Sequence, residues 1–159
     1  MLEYGVKINS LDEYGRTPIF YCFIKIRHEE GAEERPNDKV EILQTLLNCD
    51  EIDLNIVDCY HKTPLHYACE KNFFFSILYL LDANINYDVE DSQGNTPLAI
   101  CLKHRMLNQA ALLIRKGVKF GYVIDERKKY SYFEYAVTKL SVGICFMLLD
   151  HGYPLQKAL

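Results

Sequence analysis

The stretch DCYHKTPLHYA, residues 58–68, decides the fold. Thirty-three residues after Thr63-Pro64-Leu65 comes Thr96-Pro97-Leu98, and upstream Thr17-Pro18-Ile19 fits the same slot with extra residues between. An aspartate stands five positions before each threonine, at Asp12, Asp58 and Asp91. A small residue follows each by five, at Cys22, Ala68 and Cys101. Seventeen positions after Thr63 and Thr96 come Leu80-Leu81 and Leu113-Ile114. A degenerate fourth copy starts at Asp125. Ser131 takes its threonine slot, Tyr132 the proline slot, Ala136 the small slot and Leu148-Leu149 the paired apolar slot. A fixed period of this length marks a stacked repeat.

Each copy reads as a turn, a short helix, a second helix and a loop. Thr and Pro suit a helix start, as N-cap and first-turn residue. In the second copy the helices are predicted at about 64–71 and 74–82. Gly5, Gly117 and Gly152 close three equivalent turns, where glycine takes positive φ without a Cβ clash. In the second copy that slot holds Asn84, the next best residue for the conformation. Asn9, Asn55 and Asp88 read as turn residues whose side chains bond nearby backbone. Phe74, Ile77, Leu78 and Leu81 make one apolar stripe at helical spacing, so Phe74 is predicted to be core and Phe73 or Phe75 partly exposed. Neither helix of a copy buries its apolar face alone, so the units must stack.

These residues resemble the ankyrin repeat family. The pattern D-x-x-x-x-T-P-L-H-x-A is complete at 58–68, near-complete at 91–101 and recognisable at 12–22. The resemblance implies an all-α solenoid of stacked helix-turn-helix units with β-hairpin-like finger loops. Residues 1–11 form the tail of a preceding repeat. Repeats follow at 12–57, 58–90 and 91–124, with a degenerate one at 125–159. The first carries an inserted loop at about 25–38, within KIRHEEGAEERPNDKVE. The fourth departs most, through Tyr132 and the extra residues in 121–130. The array begins and ends mid-pattern, which suggests an excerpt of a longer array or ends covered by a partner.

The family binds protein partners through finger tips and the exposed side of the first helices, a concave face. Carried over by alignment, this implies Glu13, Tyr14, Arg16 and Lys25 in the first copy. The second supplies Tyr60, Lys62, Glu70 and Lys71. The third supplies Gln93, Asn95, Lys103 and His104, and the fourth Arg127, Lys129 and Lys139. Tyrosines and arginines lead as hot spots, since they join apolar area to hydrogen bonding. Leu47…Asp53-Leu54-Asn55 also resembles the ankyrin motif recognised by asparaginyl hydroxylase, with Asn55 as the modified residue.

Composition sets the outer bounds. The chain has 159 residues, 49% hydrophobic and 25% charged, enough for one domain with a core. A net charge of −4 opposes nucleic acid or an anionic membrane as the main partner. No apolar run reaches the roughly 18–20 residues that span a bilayer. The six cysteines are scattered, most within apolar runs, which suits reduced thiols in an intracellular protein, cytoplasmic or nuclear.

Catalytic readings fare poorly. Cys59, His61, His66 and Cys69 carry zinc-competent atoms in eleven residues, yet the repeat assigns them to a finger and a helix. There the resemblance makes His66 a structural residue that ties the turn to the helix start. Cys22 and Cys101 occupy a slot that wants a small side chain, not a nucleophile beside a base. Glu29-Glu30, Glu33-Glu34 and Glu90-Asp91 lie in loops or turns, and no Gly-rich phosphate loop is present. The expectation is a non-catalytic interaction module with neither metal nor cofactor. The alternatives are a regulatory or targeting segment of a larger enzyme or channel, or a structural subunit of a large assembly.

Overall fold

A computed structural model describes residues 7–24, 36–119, 121–125, 128–139 and 142–153. A short 3₁₀ helix, Pro18–Cys22, opens the array. Helices α1 (Pro36–Leu47), α2 (Pro64–Glu70), α3 (Phe74–Asp82), α4 (Pro97–Lys103) and α5 (Leu107–Lys116) follow. Strands β1 (Tyr122–Asp125) and β2 (Lys128–Ser131) then lead into α6 (Tyr132–Lys139) and α7 (Val142–Asp150). The array is the helical solenoid implied by the repeat.

Each repeat is built by the same local chemistry. Thr17, Thr63 and Thr96 hold one extended backbone conformation, with φ of −88°, −88° and −84°, and proline follows each. Proline at the first helical position lacks only an N–H that has no intrahelical partner. Thr96 Oγ1 accepts a hydrogen bond from Ala99 N–H, the usual N-cap bond. At the other end, Asn84, Gly117 and Gly152 close the second helices with φ of +58°, +86° and +81°. Asn84 thus adopts the conformation its slot requires.

The small-residue slot explains how closely the first helices stack. Cys22, Ala68, Cys101 and Ala136 are all buried, the middle two completely. Leu65, Leu98 and Leu102 fill the space beside them, and Ile77, Leu80, Leu113, Ile144 and Leu148 close the core from the second helices. Full burial of one such side chain stabilises by about 1.5–3 kcal/mol, so the core is shared between units rather than held within one.

Four local expectations change. The first copy starts with a 3₁₀ turn instead of an α-helix. Its second helix begins at Pro36, inside the stretch expected to be loop, while 25–35 lies outside the described residues. Phe74 is 38% exposed, because α3 turns Ser76, Ile77, Leu80 and Leu81 inward instead. The turn residues reach across repeats as well as locally. Asn9 Oδ1 accepts from Asp53 N–H, Asn55 Oδ1 from Asn86 N–H and Asp88 Oδ1 from Lys119 N–H, at 2.9, 2.8 and 2.8 Å. These bonds form a ladder that holds each loop to the next.

Candidate functional site

The fingers owe their shape to one carboxylate each. Asp12 Oδ1 accepts from the backbone N–H of Tyr14 and Arg16, Asp58 Oδ1 from Tyr60 and Lys62, and Asp91 Oδ1 from Gln93 and Asn95. The position two before each threonine bends back at positive φ, at Gly15, His61 and Gly94. Neighbouring fingers are joined by backbone bonds, Cys59 N–H to Tyr14 O and Ser92 N–H to Tyr60 O, at 2.8 and 2.9 Å. Tyr14, Tyr60 and Gln93 therefore stand exposed in a row, one per finger.

Behind the first two tips lies a polar network. The Arg16 guanidinium sits 4.6 Å over the Tyr14 ring, and its Nε is 3.7 Å from Asp58 Oδ2. Tyr67 donates its hydroxyl to that same carboxylate oxygen at 2.6 Å, and Tyr21 does the same to Asp12 Oδ2 at 2.5 Å. Burial, then the Asp58 bond, pushes the Tyr67 hydroxyl above its ordinary range. Burial opposes the Arg16 charge, but Tyr67, Asp58 and Asp12 outweigh it and hold the guanidinium charged. Lys62 pairs with Glu70 at 2.5 Å and stands 5.6 Å from the centre of the Tyr67 ring. Tyr21 and Tyr67 did not emerge from the sequence as functional candidates. Their signal is there, a tyrosine nine positions after the finger aspartate in two copies.

The other candidates divide. Glu13, Lys71, His104 and Lys129 are exposed, while Glu70, Lys103 and Lys139 are half-buried. Asn95 is 4% exposed, and its amide turns in to Asp91, at 3.3 Å from Oδ1. It cannot present itself to a partner as expected. Arg16 and Lys62 at the same slot are also largely covered, with side chains 16% and 20% exposed, held against Tyr14 and Glu70. Lys25 and Arg127 lie outside the described residues. Asn55 is exposed, with its amide oxygen engaged by Asn86 N–H.

The four zinc-competent residues of 59–69 are separated. Cys59 and His61 are exposed in the finger, while His66 and Cys69 are fully buried. Among the described residues no group of three His, Cys, Asp or Glu is placed to hold a metal. Burial, with a smaller part from Cys101, raises the Cys69 thiol well above the ordinary value, and burial pushes Cys22 up to about 11. Both thiols stay protonated at neutral pH and are poor nucleophiles. Among the described residues no helix is long and apolar enough to cross a membrane.

Fold and face together define a solenoid of stacked helix pairs that displays a row of finger tips. A family model described as three copies of ankyrin repeats matches residues 32–123. The chain belongs to the ankyrin repeat family. It is 29% identical over 113 residues to the poly(ADP-ribose) polymerase tankyrase of Caenorhabditis elegans, covering 68% of this chain and 5% of the relative. It is 30% identical over 104 residues to inversin of Gallus gallus, covering 65% of this chain and 8% of the relative. The chain thus spans less than a tenth of the length of these relatives. A crystal structure of an ankyrin repeat domain from Acinetobacter baumannii superposes with a TM-score of 0.71 at 22% identity, covering 93% of this chain and 70% of that one. That likeness shows the fold.

Proposed function

We propose that the chain is a non-catalytic module that binds a partner protein through its finger tips and first helices. Ankyrin repeats generally mediate protein–protein interaction, and the observation that carries the assignment to this face is the joined row of fingers. Tyr14 and Tyr60 are 43% and 51% exposed on backbone that aspartate bonds and finger-to-finger bonds already hold. Large side chains on a fixed backbone lose little entropy when a partner covers them. Arg16 extends this surface by stacking on Tyr14.

The test replaces Tyr14, Arg16 and Tyr60 with alanine together. Crosslinking mass spectrometry in native extract supplies the partner, and titration then gives the affinity. Hot-spot residues contribute about 2 kcal/mol or more each, so the triple variant should bind at least about 30-fold more weakly. Phe75→Ala, on the second-helix side and 64% exposed, should bind normally. Unchanged affinity in the triple variant, with an intact far-ultraviolet spectrum, would refute this face.

A further inference from the structure

One row of charge on the same face is left unused by the fingers. Eight positions after the threonine slot stand Lys71, His104 and Lys139, one in each of three consecutive repeats. All three sit where a first helix ends: Lys71 caps α2, His104 caps α4, and Lys139 closes α6. Lys103 and Arg105 flank the middle member. Helices α2, α4 and α6 pack side by side, and Arg105 Nη2 donates to Lys139 O at 2.9 Å, tying two of the ends together. The acidic groups on this face are occupied. Glu70 is held by Lys62, and Glu134, at the far end of α6, accepts from Ser131 N–H. A chain of net charge −4 therefore carries a local strip of four full positive charges and a histidine.

We infer that this strip binds an extended acidic segment of the partner protein, with carboxylates spaced about three residues apart. This rests on the interaction-module reading above and specifies the partner's chemistry. Packed helices lie roughly 8–10 Å apart, so successive cations are separated by about that distance. An extended chain rises about 3.3 Å per residue. A carboxylate at every third position therefore meets one cation per repeat. The chain's overall negative charge disfavours long polyanions, which leaves a short segment as the fitting ligand.

The experiment uses the full chain and two synthetic nonapeptides of equal composition. One repeats Glu-Gly-Ser three times; the other carries its three glutamates in a block. The spaced peptide should bind several-fold more tightly and shift the backbone amide resonances of Lys71, His104 and Lys139. Its affinity should fall as salt rises, since exposed pairs are screened. Each exposed ion pair contributes up to about fivefold, so Lys71→Gln with Lys139→Gln should weaken binding roughly tenfold. These side chains are exposed or half-buried, so the variant should fold, as a urea midpoint checks. Equal binding of the two peptides, no binding, or no loss in the double variant overturns the strip. Tighter binding of a single-stranded oligonucleotide through the same lysines overturns the assignment to a protein segment. Because the strip and finger variants differ, loss of native partner affinity in the Tyr14, Arg16 and Tyr60 variant would still support the module reading.

Discussion

Repeats two and four solve the same problem with different side chains. Both must satisfy the N–H of the residue that opens the first helix. In repeat two His66 does this: Thr63 N–H donates to Nδ1 at 3.1 Å, and the Thr63 hydroxyl lies 2.9 Å from the same nitrogen. In repeat four Ser131 N–H donates to Glu134 Oε2 at 2.7 Å, and Glu134 N–H donates back to Ser131 Oγ at 3.2 Å. That is the reciprocal capping box. The difference is what each repeat does beyond itself. His66 reaches forward, since Nε2 lies 3.2 Å from Asn95 O in the next finger. A carbonyl only accepts, so Nε2 carries the proton and Nδ1 is left to accept. Repeat four reaches backward through Tyr132, whose hydroxyl is 2.5 Å from Thr96 Oγ1. Repeat one does neither. Phe20 stands in the histidine slot, and Thr17 Oγ1 is buried without a partner among the described residues. In repeats two and four the residue three after the threonine or serine slot thus supplies the acceptor for the N–H that opens the helix.

The largest effect expected from this comparison is at Tyr132. It is 1% exposed, and burial pushes its hydroxyl up to about 12, so it stays protonated. Tyr132→Ala removes a fully buried ring and should lower stability by about 3–5 kcal/mol. Tyr132→Phe removes only the bond to Thr96 and should lower it by about 1 kcal/mol. Urea denaturation of both separates packing from the backward link. Equal losses would mean that the hydroxyl carries the whole effect, and no loss in either would end the idea that repeat four is anchored to repeat three.

His66 comes next. His66→Ala leaves Thr63 N–H unpaired in the interior and removes one of the two donors to Asn95 O, which keeps Asp91 N–H, at about 1–3 kcal/mol. Burial lowers the His66 pKa below the ordinary 6.5, so the folded state keeps it neutral while the unfolded chain takes up a proton. Its contribution is therefore complete above about pH 6.5 and declines as pH falls below that, until the folded ring also protonates. Glu134 behaves differently. The bonds from Ser131 lower its pKa below 4.5, so its contribution holds above that value and is lost as pH falls through the folded one. Stability against pH should show two acid declines. His66→Ala should flatten the upper one and Glu134→Gln the lower. A profile unchanged in both variants would dissociate these caps from acid sensitivity.

Much of this was legible in the residues. The slot at Cys22, Ala68, Cys101 and Ala136 is buried throughout because small side chains are the ones that closely stacked helices admit. The left-handed Asn84 followed from its alignment with glycine. Phe74 was not legible, for a physical reason. α3 is apolar almost all round, so two stripes fit its 3.6-residue period, and only neighbouring helices select the one through Leu80. The cross-repeat bonds of Asn9, Asn55 and Asp88 were hidden because a local pattern cannot show which turn will lie alongside. On the proposed binding face, the exposure of Tyr14 and Tyr60 followed from the finger alignment. The inward turn of Asn95 was hidden because it rests on a bond to the Asp91 carboxylate of its own finger, which a pattern of slots does not show.

The smallest effects are expected in the finger slot that distinguishes repeat two from its neighbours. Gly15 and Gly94 occupy it at φ of +74° and +76°, and His61 holds it at +57°. A side chain in this conformation costs about 1–2 kcal/mol, yet His61 returns part of that through Nδ1, 2.7 Å from Glu90 O. Gly94→Ala brings the strain with no compensating bond and should lower stability by about 1 kcal/mol. His61→Gly relieves strain, loses the bond and adds chain entropy to the unfolded state, so it should move stability by less than about 0.5 kcal/mol. Paired urea curves decide the matter. A larger loss in His61→Gly than in Gly94→Ala would make the bond to Glu90, rather than backbone conformation, the dominant force in that finger.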